Sequence, residues 1–254
     1  MSDLKVMTLN ILNNKLYGYG NSRFKRRIEA IREMIGETQP DLIGIQELTA
    51  EMLPVMEGLL KTYGWIGDSR RSRINNEYSV ILYKKDRFEV LRHETFWLSD
   101  TPQVPGSRFM LSQFPRITVF ALMKDKDNGK EFSFFNTHLD VNLVEIRRRQ
   151  AMVLRDLILT HHRGEFTIVT GDFNDVRDSA PLSAVYEAGL EDLSDDALGS
   201  TLRGRVGSTR FHNRPIDHIL VSDGIRALDI TKLDRSYHGC WPTDHYPLLA
   251  VLSC

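Results

Sequence analysis

Cysteine is the scarcest residue of this chain: Cys240 and Cys254 are the only two among 254. They form neither a disulfide framework nor a metal-type spacing, so two unpaired thiols in a reducing compartment are expected. Long apolar runs are missing as well. Nothing approaches the roughly 20 consecutive residues needed to cross a bilayer. The N-terminal stretch Met1-Ser2-Asp3-Leu4-Lys5 leads directly into a strand-like segment without the features of a leader. A cytoplasmic location is therefore expected. An excess of one charge sign is also lacking, since the formal net charge is −1, and the molecule as a whole has no pull towards a polyanion. Repeats, low-complexity stretches and flexible linkers are absent too, which leaves residues 1–254 to be read as a single domain.

The 41% hydrophobic and 26% charged residues that are present are ordinary for a globular protein able to bury a full core. Leu4 to Leu9 predicts a short buried strand ending at Asn10. Ser22 to Gly36 predicts an amphipathic helix capped by Ser22, with Phe24, Ile28, Ile31 and Ile35 on one stripe and Gly36 and Pro40 ending it. Asp41 to Gln46 predicts a strand that delivers Glu47 to its end, and a helix is expected between Thr49 and Tyr63. Strand composition then recurs at Tyr78 to Tyr83, Phe88 to Leu91, Ile117 to Met123 and Glu131 to Asn136. Asp127-Asn128-Gly129-Lys130 between the last two is a hairpin signal. A long helix over Glu145 to His161 follows, with Ile146, Val153, Leu154, Leu157 and Ile158 facing inwards. Phe166 to Thr170, Ile216 to Val221, Ala227 to Lys232 and Leu248 to Leu252 complete the strands. Hairpins mixed with helical crossovers predict a two-sheet sandwich covered by helices, not one doubly wound sheet.

Polar residues punctuate these strands in a consistent way. Four apolar runs stop at an amide, carboxylate or imidazole: Leu9-Asn10, Gln46-Glu47, Asn136-Thr137-His138-Leu139-Asp140 and Gly171-Asp172-Phe173-Asn174. A fifth strand opens with Asp217-His218 and a sixth follows Asp244-His245. A single such residue is ordinarily just solvated. Six together predict a site built where strand ends converge. Oxygen donors without a Cys/His cluster suit Mg²⁺ or Mn²⁺ better than zinc.

These segments, with Ile45-Gln46-Glu47, Thr170-Gly171-Asp172-Phe173-Asn174, Ile216 to Ser222 and Thr243-Asp244-His245-Tyr246-Pro247-Leu248, resemble the ordered signatures of the endonuclease/exonuclease/phosphatase superfamily from about residue 4 to 252. The stretch Phe96 to Pro102 with Pro105-Gly106-Ser107 further resembles an uncharacterised bacterial branch. Two departures, Asn13-Asn14-Lys15 where acidic residues are common and Arg108 to Phe114 without a Trp-Asp pair, fall in substrate loops. The resemblance implies a deoxyribonuclease I-like α/β fold, a four-layered sandwich of two mixed β-sheets flanked by α-helices. It also implies Glu47 as principal metal ligand, with Asn10 and Asp244 near or on the ion. Asp172 would orient or deprotonate the attacking water, and Asn174 with Asn10 would bind phosphoryl oxygens. His138 and His245 would stabilise developing charge, each needing a carboxylate partner. Asp217 is expected for His245, and Glu77 for His138.

Among further candidates, Asp140 either supports the metal site or caps a loop. His218 should point to the opposite face from Asp217 and be structural. Arg147, within Arg147-Arg148-Arg149, is read as solvated, with contact to substrate as the alternative. Arg116, Trp241 and His238 are candidates to meet substrate, whereas Trp65 and Trp97 are read as core. His161-His162 ends a helix where an imidazolium would suit the dipole. Basic runs at Arg23 to Arg27, Arg70 to Arg73 and Arg203 to Arg214 would hold a phosphate-rich substrate if two of them flanked the site. The expected activity is metal-dependent hydrolysis of a phosphate ester, first a phosphodiester, with nucleic acid as the next substrate. A non-catalytic binding module that keeps the fold is the competing reading.

Overall fold

The computed structural model describes residues 3–13, 23–73, 76–204 and 211–253. Twelve strands among them form two mixed six-stranded sheets. The first sheet contains β1 (Leu4–Asn10), β2 (Leu42–Thr49), β3 (Tyr63–Ser69), β4 (Glu77–Lys84), β11 (Arg226–Lys232) and β12 (Leu248–Ser253), ordered β11-β12-β1-β2-β4-β3. The second contains β5 (Phe88–Trp97), β6 (Ile117–Asp125), β7 (Glu131–His138), β8 (Thr167–Asp172), β9 (Leu190–Asp192) and β10 (Asp217–Ser222), ordered β5-β6-β7-β8-β10-β9. Each sheet has one parallel pair at its centre, β1 with β2 and β7 with β8, and all other pairings are antiparallel. The helix α1 (Phe24–Thr38) connects the first parallel pair and α2 (Val144–His161) the second. Those four central strands therefore carry their C-terminal ends, at Asn10, Glu47, His138 and Asp172, to one edge of the sandwich.

Three apolar layers hold the four structural layers together. Phe24, Ile28, Ile31 and Ile35 bury the predicted stripe of α1 against Met7, Leu9, Ile43 and Ile45. Each such side chain contributes roughly 1.5–3 kcal/mol of hydrophobic stabilisation, as an upper estimate. Leu4, Val6, Phe132, Phe134, Ile168 and Ala250 fill the space between the sheets. Leu154, Leu157 and Ile158 of α2 and Leu182 and Val185 of the short α3 (Ala180–Tyr186) cover the second sheet.

Near the polar edge the inter-sheet layer becomes polar. Asn136 donates from Nδ2 to the carbonyls of Ile45 at 2.8 Å and Val80 at 2.9 Å, and accepts from Gln46 Nε2 at 2.7 Å. Gly44 permits this approach: a Cβ there would lie 2.0 Å from Thr170 Oγ1 and 2.6 Å from Asn136 Oδ1.

The differences from the sequence reading have local causes. Helix α1 runs through Gly36 to Thr38, and Gln39 takes the left-handed C-terminal position (φ 50°) before Pro40. Ser22 lies outside the described residues, and Arg23 at the N-cap makes no side-chain cap. The helix expected between Thr49 and Tyr63 is two 3₁₀ turns, Leu53–Met56 and Leu59–Lys61, because Pro54 and Gly58 prevent a continuous α-helix. Strand β3 escapes the composition reading because Gly64 and Gly67 dilute it, and Trp65 on this edge strand is exposed, not core. Strand β5 extends to Trp97, since its outward Glu89, Arg92, His93 and Glu94 mask an edge strand. Helix α3 and strand β9 are too short for a periodic signal. Trp97 is buried as expected, with its indole N–H donated to the Arg70 carbonyl at 3.0 Å.

Candidate active site

His138, Asp172 and Asp217 are direct cross-strand neighbours at the ends of β7, β8 and β10. Asp172 lies at the centre. Its Oδ1 accepts the Asn174 backbone N–H at 2.9 Å, and its Oδ2 accepts Asn10 Nδ2 at 2.9 Å. The same Oδ2 lies 3.6 Å from His138 Nε2 and 3.9 Å from His245 Nε2, between the two imidazoles. Burial, reinforced by the Asp217 charge, pushes the Asp172 carboxyl up to about 6.

The expected Asp217–His245 pair is present, with Asp217 Oδ2 2.8 Å from His245 Nδ1. Burial opposes charge on this imidazole, yet the Asp217 carboxylate holds it well above the usual histidine range. His245 therefore turns a protonated Nε2 towards Asp172.

His138 is different. Glu77 is not its partner: Glu77 accepts from Arg70 Nη1 at 2.7 Å and from Asn13 Nδ2 at 2.7 Å. Instead, His138 Nε2 meets Asn174 Nδ2 at 3.2 Å, and that nitrogen also donates to the Leu139 carbonyl at 3.1 Å. A carbonyl can only accept, so Nδ2 is correctly placed as a donor and His138 Nε2 carries the lone pair. Burial first, then the charges of Arg116, Arg70 and His245, push this imidazole well below the usual range. Burial and these neighbouring cations favour the neutral form of His138, and Glu77, engaged by Arg70, does not offset them.

Across the sandwich, Glu47 sits where β2 shifts register against β4 between Ile45 and Leu48. Its φ of 63° is left-handed, a conformation costing a non-glycine residue about 1 kcal/mol or more. The bulge turns the carboxylate towards the second sheet. Asn10 Nδ2 reaches Glu47 Oε1 at 3.1 Å as well as Asp172, which ties the two sheets' carboxylates together. The Asn13 backbone N–H donates to Glu47 Oε2 at 2.8 Å. Burial, then the neighbouring charges of Glu77 and Asp244, push Glu47 up to about 7.

A carboxylate crowded by two others marks a place short of positive charge, and the donors there are oxygens. The residues thus fit a hard divalent cation. Asp172, Asp217 and His245 also place one donor atom each within 4.8 Å of one another, a grouping that could hold a divalent metal.

Glu47, Arg70, Glu77, Arg116, His138, Asp172, Asn174, Asp244 and His245 line one cavity of about 330 Å³, with Leu12, Phe114, Val141, Leu202 and Phe211 as apolar wall. Trp241 does not join them. It packs edge-on against Tyr246 at 5.6 Å and beneath Arg203 at 5.2 Å. His238 is exposed beside Glu33. Asp140 organises a loop, accepting from Ser112 Oγ at 2.8 Å and Asn142 N at 2.9 Å.

Arg147 is buried, not solvated: it donates from Nε to Asp175 Oδ2 at 2.9 Å and from Nη1 to the Asp140 carbonyl at 3.2 Å. His161 packs against Phe96 and Phe120, and burial pushes it down, so it is no imidazolium at the helix end. Sequence reasoning did not single out Asn13 or Arg70 individually. Both lay in segments already conspicuous, as a departure from the family loop and a basic run. Residues Asn14 and Lys15 of that loop and Arg205 and Arg210 of the last basic run lie outside the described residues.

Two sheets that each end a parallel pair on this constellation define a deoxyribonuclease I-like fold. The chain belongs to the endonuclease/exonuclease/phosphatase family, whose model matches residues 7–245. Members of this superfamily are phosphoester hydrolases, and membership supports a hydrolase here. The mannosyl-6-phosphatase of Bacteroides thetaiotaomicron is 29% identical, with a TM-score of 0.85 and coverage of 99% of this chain and 100% of that one. An endonuclease/exonuclease/phosphatase protein of Bacteroides vulgatus is 26% identical, with a TM-score of 0.86 and coverage of 100% and 99%. Protein angel of Drosophila melanogaster is 27% identical over 245 residues, and the match covers 91% of this chain but only 65% of that protein. Among the described residues no helix is long and apolar enough to cross a membrane.

Proposed function

We propose that the chain hydrolyses phosphate esters of compact substrates by in-line attack of water, with Mg²⁺ or Mn²⁺ bound at Glu47 and Asp244. The observation that carries this reading is Asp172 Oδ2, set between two imidazole Nε2 atoms and tied through Asn10 to Glu47. When bound, the cation supplies charge neutralisation at a phosphoryl oxygen and at the leaving oxygen. Asp172, pushed up to about 6, is suited to take the proton of the attacking water near neutral pH. The new bond runs from water oxygen to phosphorus and the ester P–O bond breaks on the opposite side. His245, held charged by Asp217, donates from Nε2 to the phosphoryl group as charge builds. Asn10 orients both carboxylates, since its own Oδ1 accepts the Leu12 N–H at 3.1 Å. His138, with Asn174, forms the neutral wall beside the phosphoryl group.

A cavity of about 330 Å³ has the size of a small ester, and the net charge of −1 gives the molecule no overall pull towards a long nucleic-acid track. Likeness to a mannosyl-6-phosphatase supports a polar, hydroxylated leaving group. The test is release of p-nitrophenol from p-nitrophenyl phosphate and bis(p-nitrophenyl) phosphate with Mg²⁺, beside EDTA-treated protein and Glu47→Ala. Turnover that survives both treatments refutes the metal assignment. No turnover of any ester, with either cation, leaves the non-catalytic binding module as the better account.

A further inference from the structure

Most buried arginines of this molecule have protein partners. Arg27 donates to the carbonyls of Ile11, Leu12 and Pro242. Arg70 holds Glu77, Arg87 holds Asp41 and Asp125, and Arg147 holds Asp175. Arg116 is the exception. It is 6% exposed, its Nε meets no acceptor, and no hydrogen bond or ion pair to its guanidinium is found among the described residues. Its backbone is fixed at the entry to β6, where the Arg116 carbonyl accepts Leu98 N–H at 2.8 Å. Its side chain lines the active-site cavity beside Arg70 and His138.

A buried cation without a partner is costly, and a chain keeps one where an incoming anion completes it. The remaining donors of the cavity show which anion. Asn174 Nδ2 is already shared between Leu139 and His138, Arg70 is paired, and His245 offers one Nε2 proton. A phosphodiester presents two terminal oxygens and one negative charge. Those are met by His245 and a cation at Glu47. A phosphomonoester dianion presents a third oxygen and a second charge. A free planar guanidinium, able to grip two oxygens at once, supplies what those require.

We propose that Arg116 is the specificity-determining residue that makes this site a phosphomonoesterase, gripping the third terminal oxygen and the second negative charge that a diester lacks. This rests on the hydrolase reading of the same cavity and replaces the sequence-based preference for a diester.

The experiment compares p-nitrophenyl phosphate with methyl p-nitrophenyl phosphate, which share a leaving group and differ in charge. The Mg²⁺-loaded wild type, Arg116→Met and Arg116→Lys are the proteins measured. Wild type should favour the monoester. Arg116→Met should lose about 10- to 100-fold in monoester kcat/KM, the range of a charge-assisted hydrogen bond, and less than about 3-fold with the diester. Arg116→Lys, which keeps charge without the fork, should fall between.

Inorganic phosphate gives a readout independent of turnover. Near 100 times its dissociation constant it should raise the wild-type Tm by a few degrees, and Arg116→Met should lose most of that rise. The phosphate-free Tm of Arg116→Met should not fall, since the variant removes an unpaired buried charge. A destabilised variant whose phosphate response is intact overturns the proposal and makes Arg116 structural. Equal losses on both esters, or a wild type that prefers the diester, also overturn it. If wild type hydrolyses neither ester while phosphate still protects through Arg116, the hydrolase reading fails and the anion anchor stands.

Discussion

Two adjacent residues of β10 build the same pair on opposite faces of one sheet. Asp217 turns to the cavity and holds His245 Nδ1 at 2.8 Å. His218 turns to the helical layer, where its Nδ1 meets Asp192 Oδ2, also at 2.8 Å. In both pairs burial opposes charge on the imidazole and an aspartate overrides it. The difference lies in the second ring nitrogen. His218 Nε2 is spent on the Asp175 carbonyl at 2.9 Å, and the residue is 0% exposed. Tyr186 adds a further hydrogen bond to Asp192 at 2.8 Å, closing the network. His245 Nε2 stays free of a close partner and faces the cavity. A histidine–aspartate pair is thus reactive only where one nitrogen is left for a ligand, and structural where both are satisfied.

The sharpest contrast with the sealed pair comes from Glu47→Gln. It should lower kcat/KM by about 10³-fold or more, by weakening cation binding, while unfolding remains cooperative by circular dichroism. Retention of cation-dependent turnover would move the metal to the Asp172, Asp217 and His245 cluster. Next in size, His245→Ala should cut kcat by about 10²–10³-fold, with Tm little changed. His218→Ala should instead cost about 3–5 kcal/mol of stability by stranding Asp192, with turnover per folded molecule within about 5-fold of wild type. If His218→Ala lost turnover at full stability, the comparison would fail.

A smaller effect concerns pH in cation-free protein. Glu47 rises from 4.5 to about 7 on folding, and Asp172 from 3.8 to about 6. Between those limits the folded state binds more protons than the unfolded one, so stability falls as pH rises. Tm should therefore drop by a few degrees from about pH 5 to 8, and added Mg²⁺ should restore it. Glu47→Gln should flatten the slope, and an unchanged slope would show that Glu47 is not the source. Smallest of all, Trp241→Ala should leave kcat/KM within about 3-fold, since the indole packs on Tyr246 outside the cavity.

Much of this was legible in the chain because strand ends announce themselves. Apolar runs stopping at Asn10, Glu47, His138 and Asp172 gave the positions, and two-residue alternation gave the opposite aims of Asp217 and His218. Partnership was less legible. The family resemblance implies Glu77 as the partner of His138, and only the fold reveals that Arg70, seven residues earlier, takes it. Arg147 read as one of three solvated arginines, although the helix turns it onto Asp175 and leaves Arg148 and Arg149 outside. Charge runs give composition, and it is helix phase that decides which member is buried.

The narrow spacing at Gly44 has one more consequence. The left jaw of the site, Asn10 and Glu47, hangs from one sheet, and the right jaw, His138 and Asp172, from the other. Their gauge is set by the hydrogen-bonded strap of Gln46 and Asn136 just beneath. A single methyl group at position 44 would act as a shim, prising the jaws apart without touching any residue that meets substrate. Tolerances for the chemistry are thus machined into the hinge of the sandwich, well below the cavity floor.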